Sequence, residues 1–274
     1  MTQQTVFYNF SGGMESAAML VVDRERIADT KAIVRWVDTG KQFDEAEASV
    51  QQIESILGLS IIRVPLLRSF DDFLFKQGPR GGYGILRKGI PECSLSMKRR
   101  PLMAHARTFP QPWEINLGFN AAEIDRGEDF IALNERPYCH WRFPLQEASP
   151  PVARAKTWEI CEQSGFTILV EGYRRMGRWD CYFCPNQTDE QAGKVGIHYT
   201  AKAREWIAAE RRKGHSFKPL PAQYYFEAAN RGVTAEAVRS EREDGQKQLF
   251  ACACFGGTDS VWEDDGVEIQ IQEA

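Results

Sequence analysis

Thr5-Val6-Phe7-Tyr8-Asn9-Phe10-Ser11-Gly12-Gly13-Met14-Glu15-Ser16 is the stretch whose reading decides the fold. Its first six residues are β-prone and mostly apolar, as in a buried strand. Gly12 and Gly13 break that run. Residues 16–28 then carry Ala17, Leu20, Val21 and Ile27 at helical spacing. The pattern recurs downstream. Residues 32–37 (AIVRWV) predict a second strand. Residues 44–57 predict a helix with Ala46, Val50, Ile53, Ile56 and Leu57 on one stripe, stopped by Gly58. Residues 60–64 predict a third strand. Strand–helix–strand at this spacing implies right-handed crossovers and a parallel sheet.

Working outward, residues 78–91 hold five glycines and two prolines and predict a mobile loop. Residues 96–108 read as a helix despite Pro101, 114–119 as a fourth strand, 151–164 as a helix and 167–171 as a short strand. Residues 178–185 form a tight cysteine-bearing turn. Helices are predicted over 200–213, 221–230 and 234–241, before a tail that holds Cys252 and Cys254 and turns acidic. The expected architecture is a doubly wound, mostly parallel, Rossmann-like α/β domain over 1–190. A mainly helical C-terminal extension follows over 191–274.

Composition narrows the function classes. The chain carries 34 Lys and Arg against 38 Asp and Glu, a formal net charge of −4, which argues against a nucleic-acid footprint over the whole surface. It has no apolar run near the ~20 residues that a membrane span needs. The N-terminus shows no export signal, so a cytoplasmic protein without a membrane partner is expected. Seven cysteines in such a chain point to metal binding or redox chemistry rather than a disulfide framework.

The Ser11–Ser16 segment lies where a doubly wound sheet binds anions, beyond the carboxyl end of a strand and at a helix N-terminus. Glycines let backbone N–H groups turn toward a phosphate, and Ser11 and Ser16 add hydroxyls. The competing reading is an ordinary strand–turn–helix junction with Ser16 as a cap. A second acidic motif, Asp38-Thr39-Gly40, follows the second predicted strand, with Phe43-Asp44-Glu45 after it.

Together SGGMES (11–16) and WVDTGKQFDEA (36–46) resemble the PP-loop superfamily, the adenine nucleotide alpha hydrolases, and in particular its PAPS reductase-like branch. Further segments resemble that branch in order: Cys93 to Leu102, Leu117 to Arg126, Phe143 to Glu147, and Cys181-Tyr182-Phe183-Cys184-Pro185. The resemblance spans about residues 5–190. The chain departs from it at Met14 and Glu15, where the family has lysine and aspartate. Its tail reads Ala251-Cys252-Ala253-Cys254 where the reductases carry Glu-Cys-Gly.

The resemblance implies that the loop holds the pyrophosphate of ATP, through Ser11, Gly12, Gly13, Glu15 and Ser16, with Gly118 also at the nucleotide. It implies Asp38 near the adenosine or a Mg²⁺ ion, and Lys98 and Arg126 as cationic clamps on phosphoryl oxygens. The plainer readings are a solvated helix face for Lys98-Arg99-Arg100, and a surface ion pair with Glu123 or Asp125 for Arg126. Two thiolates at Cys181-x-x-Cys184 suit one zinc or one cluster iron. The resemblance adds Cys93 as a third ligand of an iron–sulfur cluster or Zn²⁺, with Cys252, Cys254, Cys139 or His140 able to supply a fourth. Cys161 reads as core, and Cys139-His140 as ordinary loop residues. Arg174, Arg175 and Arg178, interleaved with Tyr173 and Trp179, suit nucleotide or nucleic-acid contact. Arg211, Arg212 and Lys213 suit the C-terminus of a helix.

The expected function is ATP-dependent adenylation of a nucleotide or nucleic-acid substrate with release of pyrophosphate, for sulfur transfer. A sulfur donor protein is an expected partner, and a homo-oligomer or complex subunit the expected state. The alternatives are a PAPS or APS sulfonucleotide reductase, a deazapurine-nitrile synthase-like enzyme, and a non-catalytic ATP-binding sensor or assembly subunit.

Overall fold

The computed structural model describes residues 4–76, 84, 86, 92–179 and 181–252, with 244–252 as backbone. Most of the predicted 78–91 loop, Cys254 and the side chain of Cys252 therefore lie outside the described residues. The chain divides into two compact units, with the boundary between Asn186 and Gln187.

The first unit is built on five parallel strands: β1 (Thr5–Phe10), β2 (Ile33–Trp36), β3 (Ile61–Arg63), β4 (Trp113–Leu117) and β5 (Cys139–Arg142), in the order β3-β2-β1-β4-β5. Its helices are α1 (Met14–Val22), α2 (Arg24–Asp29), α3 (Ala46–Leu57), α4 (Phe70–Phe75), α5 (Glu92–Ser94), α6 (Arg100–Ala106), α7 (Ile124–Asn134), α8 (Pro144–Glu147), α9 (Arg154–Gln163) and α10 (Thr167–Met176). The sheet is covered on both faces, because adjacent residues of β1 point opposite ways. Phe7 packs in a cluster with Ala106, Trp113, Ile115, Cys139 and Trp141, beneath α6. Tyr8, its neighbour, reaches the other face, where its hydroxyl donates to Asp23 Oδ2 at the end of α1 (2.7 Å). The doubly wound parallel α/β architecture expected from the sequence is present.

That order puts a topological switch point at β1 and β4. The chain runs from β1 outward through β2 and β3, then returns past β1 to add β4 and β5 on its other side. In open sheets of this kind ligands bind at the switch point, outside the carboxyl ends of the strands.

Three local expectations are corrected. Residues 16–28 are two helices, because Asp23 leaves helical geometry (φ −98°, ψ 17°) to accept from Tyr8 and from Arg142 Nη1. Residues 167–171 are the first turns of α10, which buries Leu169, Val170 and Met176 and ends at Gly177 with φ +70°. A short apolar run fits strand or buried helix equally until packing decides. Cys139 and His140 belong to β5 rather than a loop; Cys139 and Trp141 face the core while His140 is exposed.

The second unit holds α11 (Asp189–His198), α12 (Thr200–Lys213), α13 (Ala222–Arg231) and α14 (Ala235–Cys252). Its buried Glu210 carboxylate accepts from Trp206 Nε1 and from the N–H groups of Phe217 and Ala222, at 2.8–3.0 Å. Three donors offset the cost of burying that group. Arg211, Arg212 and Lys213 occupy the last turn of α12. Among the described residues no helix is long and apolar enough to cross a membrane.

Candidate nucleotide site at the switch point

Ser11–Ser16 joins β1 to α1 at the switch point. The loop is held by its own hydroxyls. Ser16 Oγ donates to Gly13 O (2.9 Å) and accepts from Ser11 N–H (3.1 Å). Its proton being used, the 2.8 Å contact with Ser11 Oγ has Ser11 as donor. Gly13 N–H donates to Ser11 Oγ (3.3 Å), and α1 proper starts with Ala17 N–H donating to Gly13 O (3.0 Å). Ser16 is therefore more than a cap, because it ties both ends of the loop together.

Two glycines bear on the loop's shape. Gly12 has φ +83°, which other residues rarely adopt. Gly118, just past β4, lies against the start of α1. A Cβ there would stand 2.8 Å from Ser16 Cα and 2.9 Å from Ser16 N. Gly118 thus serves the site by letting the end of β4 approach the loop backbone.

Beside Gly12 sit Trp36, at the end of β2, and Gln42. Trp36 Nε1 lies 3.3 Å from where a Cβ on Gly12 would be, and Gln42 Nε2 3.6 Å. Trp36 Nε1 and Gln42 Oε1 are buried without a hydrogen-bond partner among the described residues. A buried indole N–H at 1 % residue exposure costs free energy unless an acceptor is supplied.

Asp38 is exposed beyond β2, and its Oδ1 accepts from Gly40 N–H (2.7 Å) in a side-chain turn. The next residues carry the cysteine turn. Thr39 Oγ1 and Cys181 Sγ share a 3.0 Å hydrogen bond, and Tyr182 N–H donates to Lys41 O (3.0 Å). Cys184 N–H donates to Cys181 O (3.1 Å), closing the turn. The Asp38–Lys41 strap therefore brings the Cys181–Cys184 turn to the carboxyl end of β2.

Cys93, in α5, is half-buried and electrostatically within reach of both turn cysteines. Burial, and then the neighbouring Cys181, push its thiol up to about 12, while Lys98 acts in the opposite sense. Lys98 lies in the π-helical turn Leu95–Arg99. Yet among the described residues no three Cys, His, Asp or Glu side chains are grouped to hold one metal ion. Among the described residues the expected ligand set of Cys93, Cys181 and Cys184 is thus not grouped as a metal site.

The remaining candidates separate. Arg126 pairs with Glu123 and lies over the Phe119 ring (4.5 Å), with its side chain 66 % exposed. This matches the plainer reading of that residue. Arg99 hydrogen-bonds Asn134, and Arg100 Nη1 donates to Ser96 Oγ (3.4 Å). Glu15, in the first turn of α1, faces Arg154 Nε at 3.5 Å. Cys161 is core, as expected, with its thiol donating to Met14 O (3.5 Å).

The basic–aromatic cluster divides, its arginines Arg174 and Arg175 exposed in surface ion pairs while Trp179 is buried and Tyr173 reaches the loop. Arg174 pairs with Glu162, and Arg175 with Glu45 (3.1 Å). Trp179 is buried, stacked on Phe43 with 5.1 Å between ring centroids, and lies flat against Gly172. Tyr173 Oη accepts from Met14 N–H (3.2 Å), the first residue of α1. Sequence reasoning missed this contact and the Thr39–Cys181 bond. The only signal was the presence of both residues in motifs singled out for other reasons.

No family model matches the chain, and no curated protein does. Among solved structures, the chain is similar to the NMN synthetase from Francisella tularensis. The two are 14% identical, the match covers 84% of this chain and 85% of that one, and the TM-score is 0.42.

Proposed function

We propose that the protein is a PP-loop ATP pyrophosphatase that adenylates an oxygen of a nucleotide or nucleic-acid acceptor. One observation carries this reading. The Ser11–Ser16 loop, at the N-terminus of α1, stands at the β1/β4 switch point with Gly118 pressed against it. Backbone N–H groups and a helix dipole at that place suit a polyphosphate. The acceptor oxygen bonds to the α-phosphorus, the bond from that phosphorus to the α–β bridging oxygen breaks, and pyrophosphate leaves. The chain's part is to hold the β- and γ-phosphates still and offset the charge that builds on them. Asp38 and Glu15 are hard oxygen donors that suit Mg²⁺, which when bound neutralises phosphate charge. Incubation with ATP and a panel of nucleotides and nucleic acids tests the reading. Pyrophosphate release should rise with an acceptor, with AMP found on it. Release at background with every acceptor counts against adenylation.

A second reading adds sulfur transfer at the thiols. It is favoured by the influence of Cys181 and Cys184 on the Cys93 thiol, and by the Thr39–Cys181 bond that ties the cysteine turn to the end of β2. Metal and sulfide analysis of anaerobically purified protein tests it. Iron and acid-labile sulfide support a cluster. Zinc alone supports a structural site, and neither removes the metal part of the reading.

A further inference from the structure

We propose that the Tyr173 hydroxyl occupies, in the ligand-free protein, a position that a phosphate oxygen takes when nucleotide binds, so that Tyr173 gates the loop. The proposal rests on the reading of Ser11–Ser16 as the polyphosphate site.

Three of the loop's N–H groups already have acceptors, and all three acceptors are side-chain hydroxyls. Ser11 N–H donates to Ser16 Oγ, Gly13 N–H to Ser11 Oγ, and Met14 N–H to Tyr173 Oη. The two serines belong to the loop. Tyr173 is brought from α10, 159 positions along the chain. Its oxygen also lies 3.0 Å from where a Cβ on Gly13 would stand, so it sits over the glycine turn itself. At a helix N-terminus of this kind the first N–H groups are the anion donors.

A second observation points to a ligand at the same loop. The Trp36 indole N–H is buried, has no acceptor among the described residues, and faces Gly12. One N–H beside the loop is thus unsatisfied among the described residues, while a neutral phenol holds one of the loop's own. A phenol oxygen is a weaker acceptor than a phosphate oxygen, because charge-assisted hydrogen bonds are roughly twice as strong. Exchange of Tyr173 Oη for a phosphate oxygen is therefore favourable, but it must first break the 3.2 Å bond. Its cost lowers the apparent affinity by the fraction of time that the hydroxyl is in place.

Tyr173 is anchored so that it can return. Its ring meets Trp158 edge-on at 6.3 Å. Its helix is pinned to α3 by Gln52, which donates to Thr167 Oγ1 (2.8 Å) and accepts from Ile168 N–H (3.1 Å). In the proposed gate the Tyr173 side chain moves off the loop while α10 stays pinned to α3.

The test uses the full chain, with inorganic pyrophosphate and ATP–Mg²⁺ as probes. Wild type is compared with Tyr173→Phe, which keeps the ring against Trp158, and with Ser16→Ala. Binding is read by calorimetry and association rates by stopped flow. The proposal expects Tyr173→Phe to bind pyrophosphate about three- to tenfold tighter, mostly through faster association. A merely structural cap would lower the melting temperature without speeding association. Weaker or unchanged binding in Tyr173→Phe, with wild type binding and Ser16→Ala impaired, overturns the gate and leaves the site standing. Failure of all three proteins to bind either probe removes the site, and the gate with it.

Discussion

Gly118 passes so close to Ser16 that a Cβ on it would lie 2.8 Å from the serine Cα. This contact joins the end of β4 to the start of α1, across the switch point of the sheet, and fixes where the Ser11–Ser16 loop stands. The obstacle is backbone, so it cannot swing aside as a flexible side chain would.

Replacing Gly118 with alanine therefore tests the frame of the site. The added methyl must push α1 or β4 away, at a cost of about 1–3 kcal/mol typical of overpacking. Thermal melts should show the loss, and ATP affinity should fall with it because the loop moves. A variant that melts like wild type would mean that the loop tolerates displacement.

A polar network under α1 gives the fold a pH dependence. Glu114, buried in β4, accepts from Arg26 Nη2 (2.8 and 2.9 Å) and Asn116 Nδ2 (3.2 Å), with Arg142 nearby. Burial alone would raise its carboxyl, but the bonds from Arg26 and Asn116 and the charges of Arg26 and Arg142 outweigh that and hold it below the usual range. A depressed folded-state value means stability that is present above the unfolded pKa of about 4.3 and lost as pH falls through the folded one. Glu114→Gln should cost about 1–3 kcal/mol at neutral pH. Its denaturant midpoint should then change less than wild type's between neutrality and strong acid. Parallel acid profiles would contradict this.

The opposite face buries a charge without a carboxylate. Arg35, fully buried in β2, donates to Asn9 Oδ1 (2.8 Å) and Leu102 O (2.9 Å) and lies 3.9 Å over the Phe7 ring. Its Nη2 has no partner among the described residues, and burial pulls its pKa down to about 9. A base with a depressed folded-state value pays a penalty below that value which is relieved above it. Wild type should therefore gain stability relative to Arg35→Met as pH rises through about 9. At neutral pH, Arg35→Met should be close to wild type or more stable, as apolar replacements of buried charges often are. A loss of several kcal/mol at neutral pH would show that the hydrogen bonds to Asn9 and Leu102 outweigh the desolvation.

What could be read from the sequence was local. Ser11–Ser16 is legible because strand, turn and helix follow one another directly, and their residue types carry the geometry. Four of the five strands show as apolar runs for the same reason. The fifth does not, because β5 has four residues and only Cys139 and Trp141 face inward. Residues 167–171 read as a strand because Ile168, Leu169 and Val170 are β-prone. Only packing of Leu169, Val170 and Met176 within the unit makes them helix. The partners of Arg174, Arg175 and Tyr173 are illegible, since Glu162, Glu45 and Met14 are chosen by tertiary approach. Gly118 was legible as part of a motif, whereas its role as a close-approach point needs the backbone of Ser16 opposite it.

The most direct test of the central claim is a calorimetric titration of ATP with Mg²⁺ into wild type and Ser16→Ala. Ser16 makes three hydrogen bonds within the loop and is almost fully buried, so alanine removes the loop's tie and little else. Wild type should bind ATP saturably, and Ser16→Ala should lose at least about tenfold in affinity. Equal affinity in the two proteins, or no binding to wild type, would contradict that claim.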